Sequence, residues 1–297
     1  MAGVHGLTAG TTATTTPTHR KDQDLSSQDV ALVRRRAARA RALALTTVST
    51  AGTGHIGADL SAMDILCALH FGVLRGGPDD PDRDRFILSK AHASAAMYSV
   101  LALRGILPEE ELATYGAADS RLSTVVSTRV PGIEFNTGSL GHGLSLGVGA
   151  ALAARVQGSG RRTFVLTGDG ELQEGSNWEA AMLAASRGLE NLVVIVDRNL
   201  AQKGASTEDI NALEPLDEKW RSFGWAVRVV DGHDVEELLT VLGGAPLEPG
   251  RPTCLIASTV KGKGVSFMER NLEWHSRRLT PDLLDQALRE LEHGTDD

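Results

Sequence analysis

The sequence predicts an α/β protein in which a mostly parallel, doubly wound sheet carries helices on both faces. Short, continuously apolar segments alternate with longer segments of helical spacing, and the 297 residues show no internal repeat and no linker. Continuously apolar strands separated by helices are typical of parallel sheets covered on both faces. We expect one domain over residues 25–297, ending in a helix. A disordered tail rich in Thr, Ala and Gly is expected over residues 1–24.

The individual elements follow from periodicity along the chain. A first helix is expected from residue 26 to about residue 48, with Ser27 or Asp29 as its N-terminal cap. Predicted strands cover residues 85–88, 163–167, 192–196, 225–230 and 253–258. Further helices are predicted over residues 91–104, 138–155, 174–187, 235–242 and 281–291.

Composition excludes several classes of protein. A net charge of −8 and a pI near 5.6 argue against a nucleic-acid partner, since phosphate binding calls for a basic surface. No apolar run approaches the roughly 18 to 20 residues that span a bilayer, so we expect no membrane association. The N-terminus does not read as a secretory signal. Cys67 and Cys254 are isolated in apolar stretches, which predicts buried thiols in a cytoplasmic protein.

One segment carries ligand-type residues at the ends of two predicted strands. Gly168-Asp169-Gly170 follows the strand at 163–167, and Asn199 follows the next strand, 30 positions after Asp169. Ligands of open α/β sheets bind at the carboxyl ends of the strands. The two glycines let the backbone approach a bulky anion and leave amides free to donate to it. The segment therefore predicts an anion site.

Oxygen ligands suited to Mg²⁺ occur in the same segment. Asp169 offers a carboxylate, Asn199 an amide oxygen, and Ala201 a backbone carbonyl. Three protein oxygens, two phosphate oxygens and a water would complete the octahedron that Mg²⁺ prefers. The alternative is an ordinary strand-to-helix turn with a chance Asn, because Gly-Asp-Gly alone is common in turns.

Glycine and histidine loops recur between residues 41 and 279. They include Gly54-His55-Ile56-Gly57, Ser89-Lys90-Ala91-His92, Thr137-Gly138-Ser139-Leu140-Gly141-His142-Gly143, Phe223-Gly224-Trp225, Asp231-Gly232-His233-Asp234 and Lys261-Gly262-Lys263-Gly264, and they end at His275. Together with Asp169 and Asn199, these loops resemble those of transketolase, a family of thiamine-diphosphate enzymes. The resemblance implies the diphosphate-binding domain of the thiamine-diphosphate-binding fold, with thiamine diphosphate and Mg²⁺ as cofactors.

The resemblance also implies a role for each matched residue. His92 and His275 match histidines beside the diphosphate and the reacting carbon, and His55 matches one that contacts substrate oxygens. Each histidine taken alone would more often be structural. Glu174 matches an acid at the subunit interface near the cofactor, with helix capping as the alternative.

The implied catalytic residues are thus His55, His92, His275 and Glu174. The implied cofactor-binding residues are His92, Gly138, Leu140, Gly168, Asp169, Gly170, Asn199 and His275, and the implied metal ligands are Asp169, Asn199 and Ala201.

The family's pyrimidine-binding domain, with its activating glutamate, has no counterpart after His275. The resemblance therefore implies the N-terminal subunit of a split transketolase, inactive without a C-terminal partner subunit, in an α2β2 assembly. With that partner, the enzyme is expected to move a two-carbon ketol (glycolaldehyde) unit from a ketose phosphate to an acceptor.

Residues 121–130 depart from the family pattern. Transketolases carry a Gly-His-Pro segment here, whose histidine touches the donor ketose, whereas this stretch has no histidine and includes Val125. Losing one polar contact in such a site costs about 1 to 3 kcal/mol. A specialised acceptor, such as a carrier-bound thiol or lipoyl group, is therefore considered. The alternatives are 2-oxoacid decarboxylation with acyl transfer, or a non-catalytic scaffold, against which the intact Asp169 and Asn199 argue.

Overall fold

The computed structural model describes residues 26–293 and contains a parallel sheet of five strands. The strands are β1 (Arg85–Leu88), β2 (Thr163–Gly168), β3 (Leu192–Arg198), β4 (Ala226–Asp231) and β5 (Thr253–Ser258). Their spatial order is β1-β2-β3-β5-β4, and every neighbouring pair is parallel. The predicted fold class is confirmed. The predicted tail over residues 1–24 lies outside the described residues.

Helices cover both faces of the sheet. One face packs against α1 (Ser27–Ala51), α2 (Ile56–Ala68), α3 (Ser94–Leu103), α8 (Val235–Gly243) and α9 (Pro281–His293). The other face packs against α4 (Gly143–Val156), α5 (Gly175–Ser186) and α7 (Leu216–Ser222). Neighbouring strand residues divide between the two cores, as Phe164 and Val165 do. This alternation follows from the two-residue repeat of a strand.

The first helix begins one residue earlier than a Ser27 cap would place it and three residues earlier than an Asp29 cap would. Ser26 is the cap: its hydroxyl accepts a hydrogen bond from the backbone N–H of Asp29 at 3.2 Å. The carboxylate of Asp29 accepts in return from the N–H of Ser26 at 3.4 Å. This reciprocal capping box satisfies amides that the first helical turn leaves unpaired, so Ser27 and Asp29 are both inside the helix.

The sequence prediction missed α2, which continues as a π-helical turn over Leu69–Val73. All residues of α2 are buried, so it lacks the polar face that helical periodicity detects. The window Ile56–Val73 is 18 residues long with a mean hydropathy of 1.4, so the statement that no apolar run approaches membrane-spanning length is wrong. Because 89% of this window is buried within the fold, it is the core helix of the domain.

Two predicted helices begin later than expected, and in one of them glycine conformations interrupt the helical pattern. Helix α4 begins at Gly143 rather than at residue 138, and Gly138 and Gly141 have φ angles of 145° and 88°. Such angles are incompatible with a right-handed helix. Residues 137–142 therefore form a loop. Helix α3 begins at Ser94 rather than at residue 91, so residues 89–93 form a second loop. Short helical segments that were not predicted are Glu109–Thr114, Gly170–Gln173, α6 (Thr207–Asn211), α7 (Leu216–Ser222) and Leu272–His275.

Candidate active site

Three histidines that are far apart in the sequence meet in the fold. The ring centroids of His55 and His92 are 5.3 Å apart, those of His55 and His275 are 5.6 Å apart, and those of His92 and His275 are 6.0 Å apart. His55 immediately precedes α2, His92 lies in the loop after β1, and His275 ends a 3₁₀ turn in the long segment after β5. The structure thus brings together all three predicted catalytic histidines.

The pKa values of the three histidines are lowered, which favours the neutral form of each imidazole at physiological pH. Burial, followed by the charge of Lys261, lowers the pKa of His275 to about 4. Burial and nearby lysines also hold the pKa of His92 well below its usual range and lower that of His55. A neutral imidazole has one donor and one acceptor nitrogen, which suits it to hold and move protons on hydroxyl groups.

His55 carries an unused hydrogen-bonding atom at the centre of this cluster. Its Nδ1 is buried and has no partner within the described part of the chain. A buried polar atom without a partner costs free energy, so such atoms in native structures point to a missing ligand or water. The orphaned nitrogen is therefore consistent with a site completed by a polar ligand.

Lys261 is a site residue to which the sequence analysis gave no role. Its Nζ lies 2.9 Å from Nδ1 of His275 and 3.3 Å from the carbonyl oxygen of Ala201. Burial and the charge of Lys90 lower the pKa of Lys261 to about 8. The contact orients the imidazole, since Nδ1 accepts from the ammonium and the proton then sits on Nε2. The Lys-Gly-Lys-Gly run was visible in the sequence, but nothing in it singled out one lysine.

The predicted metal ligands lie in two turns that are joined by hydrogen bonds. The Asp169 carboxylate accepts from the N–H of Gly170 at 2.8 Å and of Leu200 at 2.7 Å. The amide oxygen of Asn199 accepts from the N–H of Ala201 at 3.1 Å. Leu200 adopts a left-handed φ of 64°, a conformation uncommon outside glycine and typical of functional turns.

The chemistry of this donor set fits a divalent cation. Burial and the charge of Asp197 raise the pKa of Asp169, although the Arg198 guanidinium lies 3.3 Å from its carboxylate and acts to lower it. The carbonyl of Ala201 already faces the Lys261 ammonium, so this oxygen points toward positive charge. Within residues 26–293 no cluster of three His, Cys, Asp or Glu suits a metal, but the predicted set uses only one acidic residue. A carboxylate, an amide oxygen and a carbonyl are hard oxygen ligands, which Mg²⁺ prefers.

A buried ion pair lies next to the turn formed by Gly168, Asp169 and Gly170. Lys90 pairs with Asp197, which also accepts from the Ser61 hydroxyl at 2.7 Å. The same ammonium donates to the carbonyl of Ala58 at 3.1 Å. These groups connect the loop after β1, the end of β3 and the start of α2. Neither Lys90 nor Asp197 was predicted as a site residue, because burial and pairing are not visible in sequence.

The remaining predicted residues lie on the open side of the site. Gly138 and Leu140 are exposed residues of the loop over residues 137–142, and the side chain of Val125 lies next to Gly138. Glu174 is exposed at the start of α5 and makes no capping hydrogen bond through its side chain. Glu174 occupies the N-cap position of this helix, so the capping alternative stays a prediction beside the interface role. Gly168 and Gly170 flank Asp169 in the turn after β2.

Comparison with known proteins agrees with this architecture. Residues 33–295 match the family model described as "Transketolase, thiamine diphosphate binding domain". The chain is 46% identical over 261 residues to one subunit of the apulose-4-phosphate transketolase of Actinobacillus succinogenes, a match that covers 86% of this chain and 94% of that protein. It is 41% identical over 256 residues to the SqwG subunit of 6-deoxy-6-sulfo-D-fructose transketolase from Clostridium sp., covering 85% and 93%.

Solved structures show the same fold. Transketolase from Campylobacter jejuni superimposes with a TM-score of 0.83 at 30% identity, covering 90% of this chain. The chain belongs to the transketolase family, as a thiamine-diphosphate-binding domain. It spans nearly the whole length of the two subunit relatives but only 43% of the Campylobacter chain.

Proposed function

We propose that this chain is the diphosphate-binding subunit of a two-chain transketolase that transfers a two-carbon ketol unit from a ketose phosphate to an acceptor. The observation that carries the proposal is the meeting of His55, His92 and His275, together with the Asp169 turn, in a chain of subunit length. When bound, thiamine diphosphate supplies the carbon nucleophile and the electron sink needed to cleave a carbon–carbon bond beside a carbonyl.

This chain's own residues would hold that cofactor and handle protons. Asp169, Asn199 and the Ala201 carbonyl would bind Mg²⁺, and Gly168 and Gly170, without side chains, would let the backbone approach the diphosphate. Their amides are not free as the sequence predicted, because the N–H of Gly168 donates to Glu171 and that of Gly170 to Asp169. His55, His92 and His275, neutral at pH 7, would donate to or accept from hydroxyls and the carbonyl of the sugar. Lys261 holds the proton of His275 on Nε2. Gly138 and Leu140 lie in the exposed loop proposed to contact the cofactor's rings.

A partner subunit is part of the proposal. The relatives that this chain matches over nearly their full length are named as subunits, whereas the Campylobacter chain is more than twice as long. We infer a C-terminal subunit that contributes the pyrimidine-binding domain and its activating glutamate, with Glu174 at the contact. An α2β2 assembly in the cytoplasm is proposed, and two free, buried cysteines are compatible with a reducing compartment.

The donor is proposed to be a specialised ketose derivative. The relatives' names specify apulose 4-phosphate and 6-deoxy-6-sulfo-D-fructose. Val125 supports the same inference, because it lies beside Gly138 in the stretch 121–130, where the family has a histidine that touches the donor and this chain has none. A carrier-bound thiol or lipoyl group remains our proposal for the acceptor.

Reconstitution with the partner tests this function. The chain would be co-expressed with the product of its neighbouring gene, and the purified complex would receive thiamine diphosphate, Mg²⁺ and either a ketose phosphate or a 2-oxoacid. We expect consumption of the ketose by the complex and no turnover by the chain alone. Consumption of the 2-oxoacid only would favour decarboxylation with acyl transfer. Robust activity of the isolated chain would refute the two-chain proposal, and absence of thiamine diphosphate binding by the complex would favour a scaffold.

A further inference from the structure

Glu171 is a buried carboxylate immediately after the glycine turn, and the proposed reaction assigns it no role. Its side chain is 3% exposed, and it faces inward from the 3₁₀ turn Gly170–Gln173. Charged side chains are almost never fully buried unless they are paired or hydrogen-bonded. The partners of Glu171 therefore indicate what the carboxylate is for.

Each partner of this carboxylate belongs to a different loop of the candidate site. Oε1 accepts from the Ser89 hydroxyl and, at 3.0 Å, from the backbone N–H of Gly141. Oε2 accepts from the backbone N–H of Gly168 at 3.1 Å. Ser89 begins the loop that carries His92, Gly141 follows Leu140, and Gly168 begins the Asp169 turn. One side chain thus connects the three loops that contain most of the proposed cofactor-binding residues.

The packing around Glu171 holds these loops close together. A Cβ at Gly143 would overlap the Ser89 hydroxyl, so the start of α4, directly after the loop over residues 137–142, lies against the loop after β1. A Cβ at Gly141 would lie 2.6 Å from the Ser176 hydroxyl, which confines the same loop from the α5 side. The backbone carbonyl of Glu171 accepts from the buried Asn177 amide at 2.7 Å, which anchors the residue to α5.

We propose that Glu171 is a positioning residue that holds the Ser89, Gly141 and Gly168 loops in the relative arrangement needed to bind both the diphosphate and the rings of the cofactor. This inference rests on the proposed function. The chemistry requires a carboxylate: all three partners donate, and an ionised carboxyl group offers only acceptors. In Glu171→Gln, either orientation of the amide directs its NH₂ group at one of the two backbone N–H groups, so one connection becomes a donor–donor contact.

The test separates cofactor affinity from fold stability. Binding of thiamine diphosphate with saturating Mg²⁺ would be measured calorimetrically on the complex of the full chain with its partner subunit, and Tm would be measured without cofactor. Outer contacts that orient ligands of a bound ion typically contribute 10- to 100-fold in affinity, and we expect Glu171→Gln to raise Kd by about that factor. Val33→Ala, in the buried face of α1, is the stability control and should lower Tm with Kd unchanged. Glu236→Gln, the same substitution at an exposed position of α8, should change neither quantity.

A wild-type Kd in Glu171→Gln would overturn the inference, as would an equal loss of affinity in Val33→Ala. Should Glu171→Gln fail to fold, Ser89→Ala removes one connection only, and it should weaken binding by about two- to tenfold, the effect of one hydrogen bond. Wild-type affinity in Ser89→Ala would then overturn the inference. Absence of binding by the wild-type complex would be a failure of the proposed function itself, so the two failures are distinguishable.

Discussion

Two clusters of buried polar side chains adjoin α2, and they differ in how completely their members are paired. In the first, which we call the Asp64 network, the Arg41 guanidinium donates to both oxygens of Asp64. Nδ1 of His233 donates to Asp64 at 2.7 Å, and Nε2 accepts from the N–H of Val260 at 2.8 Å. The second is the histidine cluster, His55, His92 and His275, in which Nδ1 of His55 has no partner among the described residues.

The difference separates a structural network from a binding site. In the Asp64 network every oxygen of the carboxylate and both nitrogens of His233 are used, although Nε of Arg41 lacks a partner within residues 26–293. This pairing lowers the pKa of Asp64, which means that the folded state stabilises the charged form of its carboxyl group. Around the histidine cluster the pKa values move the other way, away from the charged form: His275 and Lys261 are lowered and Asp169 is raised. Ionisable groups whose charged forms are destabilised by their surroundings are typical of catalytic and ligand-binding sites.

Breaking the Asp64 network should give the largest loss of stability. Asp64→Ala leaves Arg41 buried without its counter-charge, and removing one member of a buried ion pair costs about 3 to 5 kcal/mol. Urea denaturation of the purified chain measures this loss. The matched control is Asp217→Ala, which breaks an exposed pair with Arg221 within one helix and should cost no more than about 0.5 kcal/mol. Similar losses in the two variants would contradict the comparison.

Breaking the metal set should abolish metal-dependent binding. Because Asp169 also pairs with the buried Arg198 guanidinium at 3.3 Å, Tm is measured together with binding to separate the two effects. Asp169→Ala removes the only acidic ligand proposed for Mg²⁺, so metal-dependent binding of thiamine diphosphate should fall by about 100-fold or more, beyond the loss seen for contacts that only support a ligand. Titration monitored by fluorescence suits the measurement, since the buried Trp274 adjoins His275. The exposed Asp282→Ala should bind as the wild type does. Unchanged binding in Asp169→Ala would refute the site assignment.

The pH dependence of stability gives a smaller, complementary signal from the Asp64 network. Burial acts to raise the pKa of Asp64, but the charge of Arg41 and the hydrogen bonds from His233 and Arg41 outweigh it and lower the pKa from 3.8 to about 2. A carboxyl group with a depressed folded-state pKa contributes stability above its unfolded pKa and loses it as the pH falls through the folded pKa.

The free energy of unfolding should therefore fall between about pH 4 and about pH 2, with a contribution from Asp64 on the order of 2 kcal/mol. In Asp64→Asn that contribution is absent, so the loss on going from about pH 5 to about pH 2 should be smaller than in the wild type. Chemical denaturation at both values measures the difference. Equal losses in the two proteins would show that Asp64 is not held in its charged form by folding.

The sequence predicted the parts of the molecule that periodicity or local spacing encodes. All five strands lie within two residues of their predicted bounds, because continuously apolar segments report burial directly. Helix α2 was missed for the opposite reason: it is buried on every side and shows no polar face. Asp169 and the three histidines were predicted because glycine loops mark them. Lys261, Lys90 and Glu171 were not, because their roles depend on partners up to 107 positions away in the chain.

A substitution at Val125 should have the smallest effect of those considered. It should change the substrate specificity of the site without changing the pairing of charges in either cluster. Its side chain is 39% exposed and lies within 3.7 Å of the position a Cβ would take on Gly138. Val125→His restores a hydrogen-bonding group beside the proposed donor site, and one such bond contributes about 1 kcal/mol, or roughly fivefold. We expect kcat/KM for an ordinary ketose phosphate to rise by that factor relative to the specialised donor proposed above, measured on the complex with its partner. The exposed Arg129→His, four positions along the same stretch, should leave the ratio unchanged. An unchanged ratio in Val125→His would mean that this position does not contact the donor, and that selectivity comes from the partner subunit.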